Sequence, residues 1–317
     1  MSEKAEKVGP LPMRIQVRRG SKTEQRHYRA LLRYNDSTPQ HEVLAPGVVS
    51  SPAHDLVRRG GKIIPQVVYQ NIYLGKASNF APGDVELIDG AILRALRDPR
   101  MLAVIQQYFP EKQISYDTAI SVSLNEAGPT ELDESDVQEK VIDLFDQGLL
   151  VASDIDRTCF NLILPPGAVL RLGNSVSLEG LGGYHGSVHV FRGGSRRTLY
   201  YSANVYSRMD GQQENGIVAF DAPWKNVVGT LYHELAEFQT DPDVGDAIRQ
   251  QDSRFIGYNS AFGEEIGDQP VAANALHKVF KEIVAQPSGK ATPLQLLYSN
   301  KDHGAAAPTL ASVGLES

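Results

Sequence analysis

The sequence predicts a single mixed α/β domain organised around one long, largely apolar helix. The chain has 317 residues, of which 41% are hydrophobic and 22% charged, an ordinary composition for a globular protein of this size. Segments with helical periodicity and segments rich in β-branched residues alternate only loosely, and no segment repeats. We therefore expect an α+β domain with a mixed sheet rather than a doubly wound parallel one.

Proline and glycine usage divides the chain into three parts. Residues 1–60 are polar and interrupted by several prolines, which is typical of an arm that lies on a domain or is partly disordered. The domain itself is predicted to span residues 61–300. Residues 301–317 are rich in Gly, Ala and Pro, and we expect them to form a flexible tail.

Apolar periodicity places the secondary structure within the domain. Strands are predicted at residues 63–74, 114–124, 158–164, 187–191 and 198–205. Helices are predicted at residues 84–108 with a break at Pro99, from Ser135 to Gly148, at residues 224–238 and at residues 272–285. Residues 257–268 are predicted to be a loop.

Charge and cysteine content exclude several classes of function. The net charge of −7 argues against broad nucleic-acid binding. The basic residues between Arg14 and Arg33 are expected to be a solvated surface stretch, with an arm that binds an acidic partner as the alternative. A single cysteine, Cys159, excludes an internal disulfide framework and fits a reducing compartment. Neither an N-terminal apolar signal segment nor a long apolar run is present, so we expect a cytoplasmic protein without a membrane partner.

The helix predicted at residues 224–238 carries the main candidate functional residues. At 100° per residue, its apolar positions form one stripe, and His233 and Glu237 lie one turn apart on the opposite face, with Glu234 beside them. This spacing lets two side chains bind one metal ion while the intervening carboxylate acts on metal-bound water. The usual H-E-x-x-H pattern has a second histidine where this chain has Glu237. The alternative is that these three residues form the solvated face of an amphipathic helix.

The wider sequence resembles a known family. The segment His233-Glu-Leu-Ala-Glu-Phe-Gln-Thr-Asp-Pro242, followed by Glu265-Ile-Gly-Asp268, is similar to the H-E-[IL]-A-E-x-x-T-D-P and E-I-G-D blocks of the plant phosphate-induced, EXORDIUM-like proteins and their bacterial relatives. Leu164-Pro-Pro-Gly167 and Gly183-Tyr-His-Gly186 also resemble blocks of that family. Because the bacterial relatives are described as zincin-like metallopeptidases, the resemblance implies a zincin-like fold with a central metal-binding helix.

Two differences from the family bear on the arrangement of the site. Gly182 and the Gln269-Pro270 pair stand where family members have cysteines. If those cysteines pair in secreted relatives, their joint absence fits a cytoplasmic member, and residues 183–186 and 264–268 should flank one cleft, because a disulfide holds two Cα atoms within about 7 Å.

A catalytic zinc ion commonly takes three protein ligands, so one more is needed besides His233 and Glu237. Glu265 is the first candidate, since related sites take a downstream glutamate. His185 is the second candidate, with a hydrogen-bonded loop histidine as the alternative. As a ligand it would give a two-histidine, one-carboxylate set that also suits Fe²⁺. Asp268 is the third, as a ligand or as an acceptor for a bound histidine.

Three further residues near these candidates receive other roles. Asp241 is expected to cap the end of the helix, before Pro242. Tyr184 and Tyr258 are candidate oxyanion donors, with packed aromatic side chains as the alternative.

Three functions remain open from the sequence. The first is a zinc-dependent hydrolase, most simply a metallopeptidase, in which Glu234 activates the water and the strand at residues 198–205 pairs at a sheet edge with a peptide. The second is a metal-binding accessory protein without turnover, and the third is a non-haem iron enzyme using His185, His233 and Glu237. The sequence identifies neither a substrate, whether a peptide or a small molecule, nor an oligomeric state.

Overall fold

The computed structural model describes residues 44–152 and 154–307. The helices are α1 (Asp84–Ala95), α2 (Pro99–Gln106), α3 (Glu134–Asp146), α4 (Pro223–Thr240), α5 (Val244–Gln250), α6 (Asp268–Ala273) and α7 (Leu276–Val279). The strands are β1 (Val57–Arg58), β2 (Gln66–Tyr73), β3 (Ser115–Thr118), β4 (Val122–Ser123), β5 (Glu131–Leu132), β6 (Thr158–Ile163), β7 (Val169–Leu172), β8 (Ser175–Val176), β9 (Gly183–Arg192), β10 (Ser195–Asn204), β11 (Arg208–Asp210), β12 (Gln213–Asn215), β13 (Tyr258–Asn259), β14 (Phe280–Val284), β15 (Ala291–Gln295), β16 (Tyr298–Ser299) and β17 (Gly304–Ala305).

The central sheet is mixed, as the sequence predicts. Its strand order is β3-β2-β6-β10-β9, with β4 continuing the β3 side of β2. Strands β2, β3, β4, β6 and β10 run parallel, with Tyr69 opposite Cys159 and Cys159 opposite Tyr200. Strand β9 is antiparallel to β10 and is the last strand on its side of the sheet. The antiparallel strand β9 therefore forms one border of the sheet and contains residues 183–186.

Helices cover both faces of this sheet. Alternate side chains of β2, such as Tyr73, pack with α1, α2 and α4 in one core, which contains Leu231 and Leu235. The intervening side chains, such as Ile72, pack with α3 in a second core on the other face. Strand side chains alternate between the faces of a sheet, so the apolar run at residues 67–74 supplies both cores. Helix α4 thus lies against the sheet and is almost completely buried.

Local sequence signals account for several element boundaries. Helix α2 begins at Pro99, and the side chain of Asp98 caps it by accepting a hydrogen bond from the backbone N–H of Arg100. The break predicted inside residues 84–108 is therefore confirmed. Asp133 and Asp136 form a reciprocal capping box that begins α3. Gly148 follows that helix with a φ of 70°, a conformation that favours glycine.

The single helix predicted at residues 272–285 is wrong. Helix α6 ends at Ala273, α7 covers only Leu276–Val279, and the chain then forms β14, which pairs with β15. The apolar positions at 279, 280 and 283 fit a helical period, but the β-branched and aromatic residues there also favour a strand. Backbone pairing with β15 makes this segment a strand and not a helix.

The edge position predicted for the strand at residues 198–205 is also wrong. Strand β10 lies between β6 and β9 and is paired on both sides. Strand β9 occupies the border of the sheet instead. Short apolar runs predict strands but do not specify their order in a sheet, which depends on contacts between distant segments.

The two ends of the described chain meet. Leu44 forms an isolated β-bridge with Ala306, and the side chain of Asn300 bonds to both the N–H and the C=O of Leu56. Residues 44–60 of the predicted arm and 301–307 of the predicted tail therefore contribute buried contacts to the domain. The basic stretch from Arg14 to Arg33 and residues 308–317 lie outside the described residues.

Within residues 44–152 and 154–307, no helix is both long enough and apolar enough to cross a membrane.

Cys159 provides a test of the central sheet. Its side chain is completely buried in β6, and burial, followed by the negative charge of Glu234, raises the pKa of the thiol. We expect the folded protein to resist an aromatic disulfide reagent and to react with one equivalent after unfolding in guanidinium chloride. Equal labelling rates before and after unfolding would contradict this placement of β6.

Candidate metal centre

Helix α4 contributes three polar side chains that are withdrawn from solvent. Glu234 and Glu237 are each only 3% exposed, and the side chain of His233 is 14% exposed. The interpretation of these residues as the solvated face of an amphipathic helix is therefore wrong. Because buried carboxylates are rare unless they are paired or bind a cation, the burial points to a specific role.

Two distant segments complete the cluster. Strand β9 supplies His185, and the segment before and at the start of α6 supplies Glu265 and Asp268. His185 Nε2 lies 3.7 Å from Glu265 Oε1, so the prediction that residues 183–186 and 264–268 flank one cleft is confirmed. Residues 183–186 begin the border strand and are not a loop.

The first group of candidate ligands contains His233, Glu237 and Asp268. His233 Nε2 lies 3.0 Å from Glu237 Oε1 and 4.0 Å from Asp268 Oδ1, and one ligand atom from each residue lies within 4.8 Å of the others. A tetrahedral zinc ion keeps its ligand atoms roughly 3.3–3.6 Å apart, given bonds of about 2.0–2.2 Å. The separations of 3.0 Å and 4.0 Å lie just below and just above that range, so small side-chain adjustments would bring the ligand atoms to the spacing of a zinc site.

The second group contains His185, Glu234 and Glu237. His185 Nδ1 lies 3.5 Å from Glu234 Oε2 and 3.5 Å from Glu237 Oε2. Both separations exceed the usual 2.7–3.2 Å of an N–H···O hydrogen bond and fall in the range of two ligands of one tetrahedral ion. Glu237 therefore belongs to both groups, with one oxygen toward each histidine.

A glutamine sets the orientation of the His233 ring. Gln295 on β15 donates from Nε2 to the carbonyl oxygen of Gly267, which leaves its Oε1 as an acceptor 2.8 Å from His233 Nδ1. His233 must then carry a proton on Nδ1, because the amide oxygen can only accept. In the neutral imidazole, the lone pair of Nε2 consequently points toward Glu237 and Asp268.

The carbonyl oxygen of Asp241 sets the orientation of the His185 ring. It lies 3.1 Å from His185 Nε2, and a carbonyl can only accept, so this nitrogen carries a proton. In the neutral ring, the Nδ1 lone pair faces the carboxylates of Glu234 and Glu237. Helix α4 ends with Asp241 as its C-cap residue, as predicted, but the side chain of Asp241 accepts a hydrogen bond from the N–H of Gly257, which lies outside the helix.

The electrostatics of the cluster favour bound cations. Burial lowers the pKa of His233, but the nearby Glu237 and Glu234 outweigh it and raise the value to about 10. Burial raises the pKa of Glu237, yet the adjacent histidines reverse this and lower it to about 2. Burial, reinforced by Glu237, raises the pKa of both Glu265 and Asp268 well above the usual range.

Two carboxylate oxygens show that the donor set fits a metal. Glu234 Oε2 and Glu265 Oε1 are buried without a hydrogen-bond partner, although a buried charged oxygen normally has one. Imidazole nitrogens and carboxylate oxygens together are suitable ligands for zinc.

The structure separates the candidate third ligands. Asp268 joins His233 and Glu237 in a group within 4.8 Å, whereas neither Glu265 nor His185 joins those two residues at that distance among the described residues. Glu265 instead faces His185 from the Nε2 side of the ring.

The two tyrosines differ in their positions. Tyr184 lines the cleft beside the cluster, with its ring packed against Tyr201. Tyr258 does not line this cleft. It packs edge-on against Tyr108, with Arg58 over its ring, so the structure does not bring it to the centre.

Sequence reasoning missed Gln295 and Gly267. Gly267 has no side chain that could bind a metal, and Gln295 lies far from helix α4 along the chain. A Cβ atom on Gly267 would lie only 2.4 Å from His233 Nδ1, so glycine is needed for the imidazole to pack there. The Glu265-Ile-Gly-Asp268 block, which contains Gly267, was a signal for that glycine, whereas no local pattern indicates Gln295.

An open cleft of about 820 Å³ leads to the cluster. Its walls carry apolar side chains from three segments, including Leu178, Ile217 and Leu276, and polar ones such as Asn274 and Gln213. A cleft of this size accommodates a small molecule or a few residues of a peptide.

No protein-family model, curated protein or solved structure matches the chain. The resemblance to the EXORDIUM-like family therefore remains a prediction from the quoted motifs.

Replacing Gln295 tests how the His233 ring is oriented. Gln295→Met keeps the side-chain length but removes the acceptor for Nδ1, so we expect zinc affinity to fall about 10–100-fold. Gln239→Met is a matched control, because Gln239 is buried and makes two hydrogen bonds to Tyr116 and Pro65 away from the cluster. Isothermal titration would measure both affinities. An equal loss in the two variants would mean that Gln295 acts only through stability.

Gly267→Ala tests the packing beneath the same ring. The added methyl group would displace the imidazole of His233, so we expect weaker zinc binding although no ligand is removed. Gly90→Ala in α1 is the control, since a Cβ there meets only the flexible end of Arg94 and should stabilise the helix by up to about 1 kcal/mol. Unchanged zinc affinity in Gly267→Ala would contradict the close contact.

Proposed function

We propose that the protein is a zinc-dependent hydrolase, most simply a peptidase, with a zincin-like arrangement of helix and sheet. The observation that carries the proposal is Glu234, a buried carboxylate with an oxygen lacking a hydrogen-bond partner, held between two histidines at the base of the cleft. Helix α4 beneath a sheet with an antiparallel border strand supports the zincin-like assignment.

His233, Glu237 and Asp268 are the proposed ligands of the zinc ion. Their donor atoms are grouped, and the ring of His233 is fixed by Gln295 in the orientation that a ligand requires. A zinc ion bound there would polarise the scissile carbonyl and lower the pKa of water. Because two of the three ligands are carboxylates, this effect on water should be weaker than in a site with three histidines.

Glu234 is the proposed general base. Its Oε1 lies 4.0 Å from His233 Nε2, so it faces the proposed zinc position and can accept a proton from an attacking water. Its burial strengthens electrostatic interactions with the reacting groups, because the low-dielectric interior screens them poorly. Helix α4 and the contact between Glu234 Oε2 and His185 hold the carboxylate in place.

The cleft and the border strand support a peptide as substrate. Strand β9 begins at Gly183 beside the cluster, where a peptide in extended conformation would pair with its backbone. The apolar residues Leu178, Ile217 and Leu276 would contact the side chains of that peptide.

The geometry gives less support to a non-haem iron enzyme. That class uses two histidines and one carboxylate on a single ion. Within the described ranges, His185 and His233 do not share a group of ligand atoms within 4.8 Å, and each faces a different oxygen of Glu237. An accessory protein that binds metal without turnover is the alternative that the following experiment separates.

Glu234→Gln tests the proposed reaction. The change keeps the size of the side chain but removes the proton acceptor, so we expect peptide hydrolysis to fall about 10²–10⁴-fold with zinc still bound. His233→Ala should lose both activity and zinc at that position. Tyr258→Phe should cleave normally, because this tyrosine lies away from the cluster.

The assay would use a mixed peptide library with zinc-loaded proteins from pH 6 to 9, followed by mass spectrometry. We expect activity to rise toward alkaline pH, since the carboxylate ligands weaken the effect of zinc on water. Equal cleavage by the wild type and Glu234→Gln would exclude Glu234 as the base, and no cleavage by the wild type would favour the accessory protein.

A further inference from the structure

We propose that the cluster binds two zinc ions, with the carboxylate of Glu237 bridging them. The first ion is the one proposed above, at His233, Glu237 and Asp268. The second is held by His185, Glu234 and Glu237. This inference rests on the proposed metal site but adds a second cation position, which the hydrolase proposal does not require.

The orientation of Glu237 supports the bridge. Its Oε1 lies 3.0 Å from His233 Nε2 and its Oε2 lies 3.5 Å from His185 Nδ1, so the two oxygens face different histidines. Oε1 also accepts a hydrogen bond from the N–H of Gly267, which fixes the rotation of the carboxylate. A carboxylate that served only one ion would not need both oxygens directed at imidazole nitrogens.

Each histidine is anchored from outside the cluster. His185 Nε2 donates to the carbonyl of Asp241, and His233 Nδ1 donates to Gln295. The remaining ring nitrogen of His185 therefore faces carboxylate oxygens of two residues, and that of His233 faces carboxylate oxygens of three. A cation, either a proton on the ring or a metal ion, must lie between each of these nitrogens and the carboxylates, because a neutral imidazole lone pair facing them is repulsive, and this condition holds separately at both histidines.

An independent observation points to the second position. Glu234 Oε2 is the oxygen that faces His185 Nδ1, and it is buried without a hydrogen-bond partner. Its distance of 3.5 Å from Nδ1 equals that of Glu237 Oε2 from the same nitrogen. Both separations match the edge length of a zinc tetrahedron, and the three ligand atoms lie within 4.8 Å of one another, so they can bind one ion.

The second ion would also define the role of Glu234 more closely. Glu234 would bind it through Oε2 alone and keep Oε1 directed at the first position, where the proton is accepted. His185 and the second ion would thereby position the base. Two-metal hydrolases in general hold their ions about 3.5–4 Å apart, a spacing that one bridging carboxylate spans.

Zinc stoichiometry tests this inference directly. Full-length protein freed of metal with a chelator would be titrated with zinc alone, desalted and analysed for metal content. We expect two zinc ions per chain in the wild type, and one in each of His185→Asn and Asp268→Asn, which remove a ligand from one position only. His189→Asn is the matched control, because His189 lies on the same strand and pairs with Asp246 away from the cluster, so it should retain two.

Anomalous scattering from crystals of the zinc-loaded wild type gives a readout that does not depend on any variant folding. Two peaks beside Glu237 would support the inference. A single peak, with one zinc per chain in both the wild type and His185→Asn, would overturn it and leave a proton as the cation at His185. Two ions that persist in His185→Asn would overturn it as well. One ion with retained hydrolysis would refute only the bridge, whereas no zinc binding would refute the proposed function too.

Discussion

The contacts of Glu237 with two histidines are the interaction on which the site depends. Burying the carboxylates of Glu234 and Glu237 one turn apart costs several kcal/mol per ion, and this cost is offset only if cationic or hydrogen-bonding partners reach them. Those partners come from β9 and from the loop before α6, while Gln295 on β15 orients His233. The burial of two glutamates on α4 therefore dictates how three distant segments of the chain are arranged around it.

The apolar framework keeps this arrangement rigid. One stripe of α4, including Leu231 and Leu235, packs into the core between the helix and the sheet, while the polar stripe faces the cleft. Substituting a leucine in that stripe would move the helix axis and displace Glu234 and Glu237 together. The geometry of the site is thus a consequence of ordinary core packing on the opposite side of the same helix.

The sequence predicts those parts of the structure that local pattern determines. The helix at residues 224–238, the break at Pro99 and the pairing of His233 with Glu237 all follow from periodicity within one element. The identity of β14 does not, because its apolar spacing fits either a helix or a strand until β15 is placed beside it. Gln295 could not be predicted either, since a glutamine on a strand carries no signal of the histidine that it will contact.

The position of β15 near the end of the chain has a consequence for the order of folding. The central sheet is complete once residue 204 has been synthesised, and α4 follows within 36 residues, ending at Thr240. Gln295 cannot orient His233 until a further 55 residues have emerged and β14 has paired with β15. Until then, Nδ1 of His233 on α4 lacks its hydrogen-bond acceptor. The strands of the central sheet are therefore synthesised first, and the strand that carries Gln295 is synthesised after them.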